Sequence, residues 1–570
     1  MGQILASTKR KWVGRRADSQ YARDITKRLG IHPTIARILV ARYGEIDEDW
    51  YELHVNGNRN ELFNPSLLHD ADKAVKRIRQ AIESQEHIRI VGDFDVDGVA
   101  ASTIMIRTLS VLGAKVTYHI PSRFHEGYGL SVEAVERAVE DNVGLLITVD
   151  NGISAYDAAN RAKELSLPII VTDHHNIGSI LPQAYAIVHP RFPRNYCPEH
   201  ELCGAAVCLK IAHALIGELP GELLQLAALA TVCDQMPLRG ENRIIVKEGL
   251  YEMQRRPIIG LKALIEVSGI GTQRLNAGHL GFQIGPRINS AGRLSEASRA
   301  VELFLTDDET EATLIAQELD DLNRFRKRLQ QRMEDEALLQ IAGNLSWLEE
   351  KTLVIDGQGF HEGLVGIVAG RIAERFNKPT LCLTNVHDGA KGSGRSIEGF
   401  DLFRALEDIQ AKQRIFTRMG GHAAAAGFSL NSEDVEKLRK AFQTAGQEWW
   451  HDEIPEAHHK VDAKLRLRDV NLKFLDALRD LEPFGRDNPE PILYVPNVRV
   501  VWADTMGQGN QHLRIRVSDD TGCSQTVLAF GYGQTIDEWY VGSEHELLVT
   551  VQENIWNAER RIQLRLVDHR

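Results

Sequence analysis

Three short apolar segments of this chain each end in a cluster containing aspartate, and this repeated pattern most restricts the possible fold. The segments cover residues 87–91, 144–149 and 168–172, and they run into D-F-D-V-D-G from Asp93, D-N-G from Asp150 and D-H-H from Asp173. Helical segments separate them, as expected for a parallel, doubly wound α/β sheet. Because ligands of such sheets bind beyond the carboxyl ends of the strands, we predict that the three clusters meet in space.

The remaining sequence predicts several further domains, since 570 residues correspond to about three or four domains. We expect an N-terminal helical segment over 1–50, the α/β catalytic domain over 51–305 and a long linking helix over 306–345. A second α/β domain is predicted over 346–452. Five short strands over 453–570 indicate a small β-barrel of the OB type.

The composition is that of a folded chain without a membrane segment. Mean hydropathy is −0.26, and no run approaches the roughly 20 apolar residues of a spanning helix. No apolar leader follows Arg15 and Arg16, so we predict a cytoplasmic protein. The six cysteines form no C-x-x-C pair, which favours free thiols over a disulfide framework or a zinc site.

The charge balance gives no overall sign of a nucleic-acid partner. The chain has 67 Lys and Arg against 79 Asp and Glu, a formal net charge of −12. A protein of this charge binds a polyanion only through a local basic surface. Some of the negative charge lies in the three clusters themselves, where divalent cations would cancel it.

The clustered side chains have the chemistry of a metal site. Asp93, Asp95 and Asp97 occupy alternate positions of a single turn, where their charges repel unless cations or donors neutralise them. Alone, such a turn is usually a solvated loop or a helix cap, and a histidine pair is usually surface decoration. Together, carboxylates and imidazoles at three strand ends form a ligand set that suits Mn²⁺ or Mg²⁺.

These motifs resemble those of the DHH superfamily of phosphoesterases. Further segments narrow the resemblance to the RecJ family of single-strand-specific 5′→3′ DNA exonucleases, over about residues 50–570. These segments are G-P-R-I-N-S-A-G-R (285–293), G-F-H-E-G-L-V-G-I-V-A-G-R (359–371), G-G-H-A-A-A-A-G (420–427) and E-P-F-G-R-D-N-P-E-P (482–491). The resemblance implies a DHH domain, a DHHA1 domain and an OB-like domain. It also implies two-metal hydrolysis of single-stranded DNA to mononucleotides in repair and recombination.

The resemblance assigns roles to individual residues. The implied metal ligands are Asp93, Asp95, Asp97, Asp150, His174 and Asp234. Asp150 is expected to bridge the two metals. His175 is a candidate for contacting or protonating the scissile phosphate, with Asp173 completing the triplet. One position departs from the superfamily, because Val91 stands where many members have a histidine, and Asp93 or water is expected to replace that ligand.

A second set of residues is expected to bind the strand. Guanidinium groups match phosphate bidentately, and glycine-rich segments expose backbone N–H groups to anions. The candidates are Arg123, Arg287, Arg293, His361, Ser393, Arg395, Gly420, Gly421 and His422. In the barrel, aromatic residues with nearby arginines would suit base stacking, although aromatics in a small barrel are more often core residues. These aromatics are Trp502, Phe530, Trp539 and Trp556.

The expected partners are single-stranded DNA, a helicase and a single-strand-binding protein, with no membrane and with a monomer favoured. One alternative is a phosphodiesterase for small molecules or short oligonucleotides, against which the long helix and the C-terminal β-domain argue. A second alternative is a non-catalytic DNA-binding scaffold, against which the intact acidic set argues. The sequence alone does not decide between Mn²⁺ and Mg²⁺, or whether RNA is also cut.

Overall fold

The computed structural model describes residues 10–570, apart from 123–125, 127, 128, 194, 272, 387, 388, 452, 557 and 558. The chain divides into two compact units. One comprises residues 14–320 together with 460–570, and the other comprises residues 321–459 with the described residues up to Val13. The first unit therefore contains both the aspartate clusters and the C-terminal β-domain.

The first elements are a short strand and three helices: β1 (Lys11–Gly14), α1 (Ser19–Leu29), α2 (Pro33–Tyr43) and α3 (Glu48–Tyr51). Asp18 caps α1 by accepting hydrogen bonds from the backbone N–H groups of residues 20 and 21. Ile35, Ile38 and Leu39 of α2 are fully buried, as their helical spacing predicts. They pack into the same core as the C-terminal barrel, whose strands begin more than 400 residues later.

The aspartate clusters belong to a five-stranded, fully parallel sheet with intervening helices. In chain order its elements are α4 (Ala71–Glu83), β2 (His87–Val91), α5 (Val96–Val111), β3 (Lys115–His119), α6 (Val132–Glu140), β4 (Leu145–Val149), α7 (Tyr156–Glu164), β5 (Ile169–Thr172) and β6 (Ala186–Val188). The strand order is β3-β2-β4-β5-β6. The predicted doubly wound parallel sheet is confirmed.

The strand order places a crevice where the clusters lie. From β2 the chain first adds β3 on one side and then adds β4, β5 and β6 on the other. This reversal is the topological switch point, outside which doubly wound sheets bind their ligands. The ends of β2 and β4, which precede Asp93 and Asp150, flank that switch point directly.

A helical layer follows the sheet. It consists of α8 (Gly204–Ile216), α9 (Gly221–Cys233), α10 (Gly240–Arg255), α11 (Ile259–Val267), α12 (Ala277–His279), a π-helical turn (Leu280–Ile284), α13 (Gly285–Leu294) and α14 (Ser298–Leu305). The predicted linking helix is α15 (Glu309–Gly343), at 35 residues. None of the described helices is both long and apolar enough to cross a bilayer.

The second unit contains the second α/β sheet. Its elements are β7 (Leu353–Gly357), α16 (Val365–Phe376), β8 (Thr380–Val386), β9 (Gly389–Arg395), α17 (Leu402–Gln413), β10 (Phe416–His422), β11 (Ala425–Leu430) and α18 (Val435–Trp449), with β12 (His458–Val461) after them. The strand order is β10-β11-β9-β8-β7, and only β7 and β8 run parallel. This sheet is therefore mixed, with a glycine-rich antiparallel part.

The C-terminal elements close into the predicted OB-like barrel. They are β13 (Ala463–Lys464), α19 (Leu472–Arg479), β14 (Leu493–Met506), β15 (His512–Ser518), β16 (Ser524–Ala529), β17 (Glu544–Trp556) and β18 (Glu559–His569). The long strand β14 pairs with both β15 and β17, and β16 pairs with β18, which closes the ring. Trp539 is a core residue at 2% exposure, whereas Trp502 and Phe530 are 38% and 46% exposed.

Candidate metal centre

The loop after β2 turns three aspartates into a small space. Asp95 caps α5, since its Oδ1 accepts hydrogen bonds from the N–H groups of Asp97 at 2.9 Å and Gly98 at 3.1 Å. A Cβ on Gly98 would lie 2.5 Å from the Asp93 carbonyl oxygen. Only glycine fits there, so the helix begins immediately behind the acidic turn.

Asp97 faces the first turn of α8. Its carboxylate accepts hydrogen bonds from the N–H groups of Gly204 at 2.6 Å and Ala205 at 2.7 Å. The positive end of a helix dipole stabilises a negative charge at this place. A Cβ on Gly204 would lie 2.5 Å from the Cβ of Asp150, so α8 also abuts the aspartate that follows β4.

His174 lies among carboxylates from three different segments. Its Nε2 is 3.1 Å from Asp150 Oδ1, 3.6 Å from Asp97 Oδ2 and 3.6 Å from Asp234 Oδ2. Asp234 directly follows the last residue of α9 as its C-cap. The predicted convergence of the acidic clusters therefore occurs, and the later Asp234 joins them.

The donor atoms form three overlapping groups, in each of which the ligand atoms lie within 4.8 Å of one another. The groups are Asp93, Asp95 and Asp150; Asp97, His174 and Asp234; and Asp150, His174 and His175. Asp150 belongs to two of them. His174 also belongs to two of them, so the three groups make one connected set of donor atoms.

Asp173 has a different environment from the other aspartates. Its Oδ2 accepts a hydrogen bond from Ile153 N–H at 2.9 Å, and its Oδ1 accepts from the backbone N–H groups of His174 and His175 and lies 2.8 Å from His175 Nδ1. Although burial alone would raise it, the His175 contact lowers the pKa of Asp173 to about 2. Both oxygens of Asp173 therefore orient its neighbours.

His175 is the partner that Asp173 orients. Burial lowers the pKa of a histidine, but the hydrogen bond and charge of Asp173 outweigh it and raise the pKa of His175 to about 9. The imidazole of His174, in contrast, has a pKa lowered to about 4, chiefly by burial. One histidine is thus protonated at neutral pH, while the other is neutral, the form in which imidazole binds metals.

The acidic groups are held in an environment that disfavours their charge. Burial, followed by the charge of neighbouring carboxylates, raises the pKa of Asp93, Asp150 and Asp234 well above the ordinary value and also raises that of Asp95. Within the described part of the chain, Asp234 Oδ2 and His174 Nδ1 are buried without a hydrogen-bond partner. This donor set fits divalent cations, which would supply the missing positive charge.

An Asp93→Asn variant tests this electrostatic strain. The pKa of Asp93 in the folded protein is raised above the ordinary 3.8. The folded protein therefore loses stability as pH rises above 3.8, because the carboxyl group ionises more readily in the unfolded chain. We expect the metal-free variant to melt higher than the parent at pH 8, by about 2–4 °C for each kcal/mol relieved. The gain should disappear near pH 4, where Asp93 is already protonated.

Thermal unfolding after EDTA dialysis measures this difference, with a substitution of the exposed Asp157 on α7, Asp157→Asn, as the control. Equal melting temperatures of the parent and Asp93→Asn proteins at pH 8 would contradict the proposed strain.

Several residues of the site are not among those predicted from the sequence. His189, which comes directly after β6, is fully buried and its Nε2 contacts the carbonyl of His175 at 2.8 Å. Asn151 donates to the carbonyl of Val91 at 3.0 Å, and so braces the strand that carries the missing histidine position. The rule that polar residues at strand ends meet would have found His189 if β6 had been recognised.

The segment 285–293 contacts the acidic loop directly and supports it. Asn289 Oδ1 accepts a hydrogen bond from Val96 N–H at 3.2 Å, and a Cβ on Gly292 would lie 2.3 Å from the carbonyl oxygen of Phe94. These contacts lock α13 against the turn that carries Asp93, Asp95 and Asp97.

The three arginines predicted to bind the strand near this centre differ in their surroundings. Arg123 lies outside the described residues. Arg287 is buried, where it pairs with Asp320 at 2.8 Å and donates to the Gln283 carbonyl at 2.6 Å. Arg293 is partly exposed on α13. The contacts of Arg287 favour a role in anchoring α13 to α15.

In the second unit, four of the predicted strand-binding residues share one face of the sheet. Ser393 and Gly420 both pair with Gly427, and Arg395 and His422 both pair with Ala425. Residues directly opposite each other on neighbouring strands project from the same face. We call this set (Ser393, Arg395, Gly420, His422) the glycine face.

The glycine face is open on one side and bordered by a helix on the other. A Cβ on Gly420 would meet nothing within 4 Å, whereas one on Gly366 would lie 2.9 Å from Ser393 Oγ and 3.0 Å from an Arg395 guanidinium nitrogen. The first turn of α16 thus approaches both side chains. Gly421 has φ +152° next to His422, and His361 accepts from Gly363 N–H at 3.1 Å in the loop before α16.

The barrel carries two exposed aromatic rings with arginines over them. The guanidinium of Arg514 lies 5.4 Å from the ring centre of Trp502, and that of Arg565 lies 5.6 Å from the ring centre of Phe530. Such pairs have the composition of surfaces that stack bases and follow a phosphate backbone. Trp539 is excluded from this surface because it is buried, and the side chain of Trp556 lies outside the described residues.

Three domain families match the chain. The DHH family N-terminal domain matches residues 87–231, the DHHA1 domain matches 349–448 and the RecJ OB domain matches 461–568. Fold and site together therefore define a DHH-class protein with a DHHA1 domain and an OB domain.

Similar proteins show to which family within this class the chain belongs. The chain is 36% identical over 566 residues to the single-stranded-DNA-specific exonuclease RecJ of Bacillus subtilis, covering 99% of this chain and 71% of that protein. It is 35% identical over 512 residues to RecJ of Escherichia coli, covering 85% and 86%. The crystal structure of Thermus thermophilus RecJ with Mn²⁺ superposes with a TM-score of 0.81 at 29% identity, over 98% of this chain and 79% of that one. The chain belongs to the RecJ family.

Proposed function

We propose that this protein is a divalent-metal-dependent exonuclease that hydrolyses single-stranded DNA from the 5′ end to mononucleotides. The observation that carries the proposal is the convergence of the ends of β2, β4 and β5 and of α9 on one set of carboxylates and imidazoles. RecJ proteins of several bacteria are named as single-stranded-DNA-specific exonucleases. Thermus thermophilus RecJ has been crystallised with Mn²⁺ and with Mg²⁺.

The proposed ligands divide into two sets that share Asp150. Asp93 and Asp95 lie with Asp150 in one group of adjacent donor atoms and would complete one set. Asp97, His174 and Asp234 form a second group, and we propose that Asp150 joins it because its Oδ1 lies 3.1 Å from His174 Nε2. Oxygen and imidazole donors suit Mn²⁺ and Mg²⁺. When bound, such cations acidify the attacking water and neutralise charge on the leaving oxygen. Asp93 would compensate for the imidazole that Val91 does not supply.

The chain's own groups would then orient the phosphate and supply a proton. Asp173 fixes the ring of His175 through Nδ1, so that Nε2–H is the atom we propose to contact the scissile phosphate. With a pKa of about 9, the imidazole carries the proton that the leaving oxygen requires at neutral pH.

Strand recognition is proposed to involve two surfaces described above. The glycine face, with Gly421 and His361 beside it, would hold a phosphate, since Arg395 and the first turn of α16 present donors to an anion. The exposed rings of Trp502 and Phe530 would stack bases without reading sequence. We keep Arg123 and Arg293 as proposed phosphate contacts, and we assign Arg287 to the support of α13.

The biological setting is proposed to be DNA repair and recombination. An exonuclease restricted to single strands requires a helicase to open duplex DNA, and we propose as its second partner a single-strand-binding protein that binds the strand the helicase releases. The domain limits 1–50, 51–305, 306–345, 346–452 and 453–570 form part of the same proposal, and the three family matches fall inside them.

A labelled-DNA digest tests polarity, strand preference and metal dependence together. With Mn²⁺ or Mg²⁺, a 5′-labelled single strand should lose its label at once as a mononucleotide, and a 3′-labelled strand should shorten gradually. EDTA should abolish both reactions, and a blunt duplex should resist. Early loss of a 3′ label would contradict the polarity. Hydrolysis of a dinucleotide at the rate of a long strand would favour a short-oligonucleotide phosphodiesterase instead.

A further inference from the structure

The motif at residues 482–491 has no role in the chemistry described so far. It forms a loop that leads into β14 of the barrel, and we call it the entry loop. The entry loop lies against the turn that follows α9, which begins with the proposed ligand Asp234. Both segments belong to the same compact unit.

The turn after Asp234 reverses the chain in a strained conformation. Gln235 N–H donates to the carbonyl of Val232 and Met236 N–H donates to that of Thr231, which together make a Schellman motif. Gln235 takes the left-handed position with φ +55°. This position normally favours glycine, because a Cβ raises the energy of left-handed backbone. Contacts from outside the helix therefore help to stabilise the turn.

Arg486 of the entry loop supplies that support at two points. Its Nη1 donates to the Gln235 carbonyl at 3.2 Å, and its own carbonyl accepts from Leu238 N–H at 2.9 Å. Next to it, a Cβ on Gly485 would lie 2.7 Å from Leu238 Cδ1. The absence of a side chain at Gly485 thus lets the two segments approach closely, and Arg486 holds the turn at both ends.

Hydrogen bonds within the entry loop and to neighbouring segments brace it. Gly485 and Asn488 exchange backbone hydrogen bonds of 2.9 and 3.2 Å. The buried Asn488 side chain donates to the carbonyls of Leu481 at 2.7 Å and Pro483 at 2.9 Å, and accepts from Arg42 Nη1 at 3.1 Å. A loop braced in this way transmits a fixed geometry to the turn that it touches.

Two buried arginines anchor the loop to its surroundings. Arg42 of α2 also forms a two-bond pair with Asp462 at 2.8 and 2.9 Å. Arg243 of α10, which is 2% exposed, donates to the carbonyls of Leu481 and Asp480 at 3.0 Å each. The entry loop is therefore tied to the N-terminal helices, to the barrel and to the helix that follows the Asp234 turn.

We propose that the entry loop positions Asp234 for metal binding, with Arg486 as the positioning residue. Among the described residues, the contacts of Arg486 with the turn are to backbone groups of Gln235 and Leu238 and not to a proposed ligand side chain, so we infer that it acts through the backbone of the turn. This inference rests on the proposed function of the acidic site and deepens it. The positioning role gives the C-terminal domain a second function. The way in which the barrel is attached fixes the position of Asp234, a proposed ligand more than 240 residues earlier in the chain.

The test compares Arg486→Ala with the control Arg499→Ala. Arg499 is also exposed, and it forms an ion pair with Glu544 in the barrel. Removing a direct hydrogen-bond partner of a ligand costs roughly 10–100-fold in metal affinity or activity, and one bond further away we expect roughly 3–10-fold weaker Mn²⁺ binding. Calorimetric titration of the EDTA-treated full chain with Mn²⁺ measures this directly. Turnover should fall at limiting Mn²⁺ and recover at saturating Mn²⁺, with KM for DNA unchanged.

Further variants separate positioning from general destabilisation. Arg486→Lys retains a donor for the Gln235 carbonyl and should bind Mn²⁺ within twofold of the parent. Asn488→Ala should weaken Mn²⁺ binding, whereas Val517→Ala, a cavity in the barrel core, should lower the melting temperature without that effect. Mn²⁺ binding by Arg486→Ala within twofold of Arg499→Ala overturns the inference, and so does a raised KM for DNA with unchanged Mn²⁺ binding.

The readouts keep the two proposals distinguishable. A parent protein that binds Mn²⁺ but digests no single-stranded DNA would refute the proposed function and leave the calorimetric comparison valid. A parent that digests DNA, with Arg486→Ala and Arg499→Ala indistinguishable in Mn²⁺ binding, would refute the positioning role alone.

Discussion

An Asp150→Asn variant is expected to lose turnover by roughly 10³-fold or more. Asp150 is grouped with Asp93 and Asp95, and its Oδ1 lies 3.1 Å from Nε2 of His174 in the other proposed set, so we expect its loss to disturb both proposed cation sites. Cation stabilisation of a transition state contributes several kcal/mol, and about 4 kcal/mol corresponds to roughly 10³-fold in rate. The defect should exceed that of Asp95→Asn or Asp234→Asn, each of which removes a ligand from one set.

Asparagine is the informative substitution because Asp150 has φ +62°. Asparagine tolerates left-handed backbone, whereas alanine adds conformational strain to the loss of the carboxylate. The metal-free Asp150→Asn protein should also melt higher than the parent, because burial and neighbouring carboxylates raise the pKa of Asp150. Steady-state kinetics with Mn²⁺ and thermal unfolding without it measure both effects, with Asp157→Asn as the control. Near-parental turnover of Asp150→Asn or Asp150→Ala would contradict the bridging role.

An Asp173→Asn variant is expected to reduce turnover by about 10²–10⁴-fold, the usual contribution of positioned general acid catalysis. The fold should survive, since the amide oxygen can still accept from the backbone N–H groups of residues 174 and 175. The bond from Ile153 N–H is lost, because the amide nitrogen takes the place of the second carboxylate oxygen. What changes is His175, which loses the charged partner that orients it and raises its pKa to about 9. Mn²⁺ binding should change far less than turnover.

The pH profile separates this role from metal binding. A general acid is active below its pKa, so lowering the pKa of His175 should shift the alkaline limb of the rate profile to lower pH in Asp173→Asn. The double variant Asp173→Asn, His175→Gln should be no slower than His175→Gln alone, because residues that act as a unit are not additive. Additive losses, or an unshifted alkaline limb, would show that the two side chains act separately.

The parts of the fold that depend on local pattern were predictable from the sequence. The strand before Asp93 and the helix over Val365–Phe376 follow from apolar runs bounded by glycine and polar turns. The meeting of Asp93, Asp150 and His174 follows from a general property of parallel sheets, for which no tertiary contact needs to be known. The closed barrel is predictable for a similar reason, because short alternating strands must bury their edges.

The roles that depend on partners distant in sequence were not predictable. The sequence predicts Arg287 as a phosphate ligand but does not show that it pairs with Asp320. The sequence equally conceals that Asp97 lies at the first turn of α8 and that both oxygens of Asp173 are already engaged by its neighbours. In each case a charged residue was visible, but the group that fixes its function comes from another element.

The shared core of α2 and the barrel has a consequence for how the protein is made. Ile35, Ile38 and Leu39 are buried against strands that begin at Ala463. Ribosomes add about 5–20 residues per second. Roughly 20–90 s therefore pass between the synthesis of α2 and the synthesis of the barrel strands that cover its apolar side. During that interval the nascent chain exposes a surface that chaperones recognise, and a chain that terminates early leaves it uncovered. Nascent chains arrested before residue 463 should therefore bind chaperones that recognise apolar surface, whereas in the full-length chain the barrel covers the apolar side of α2.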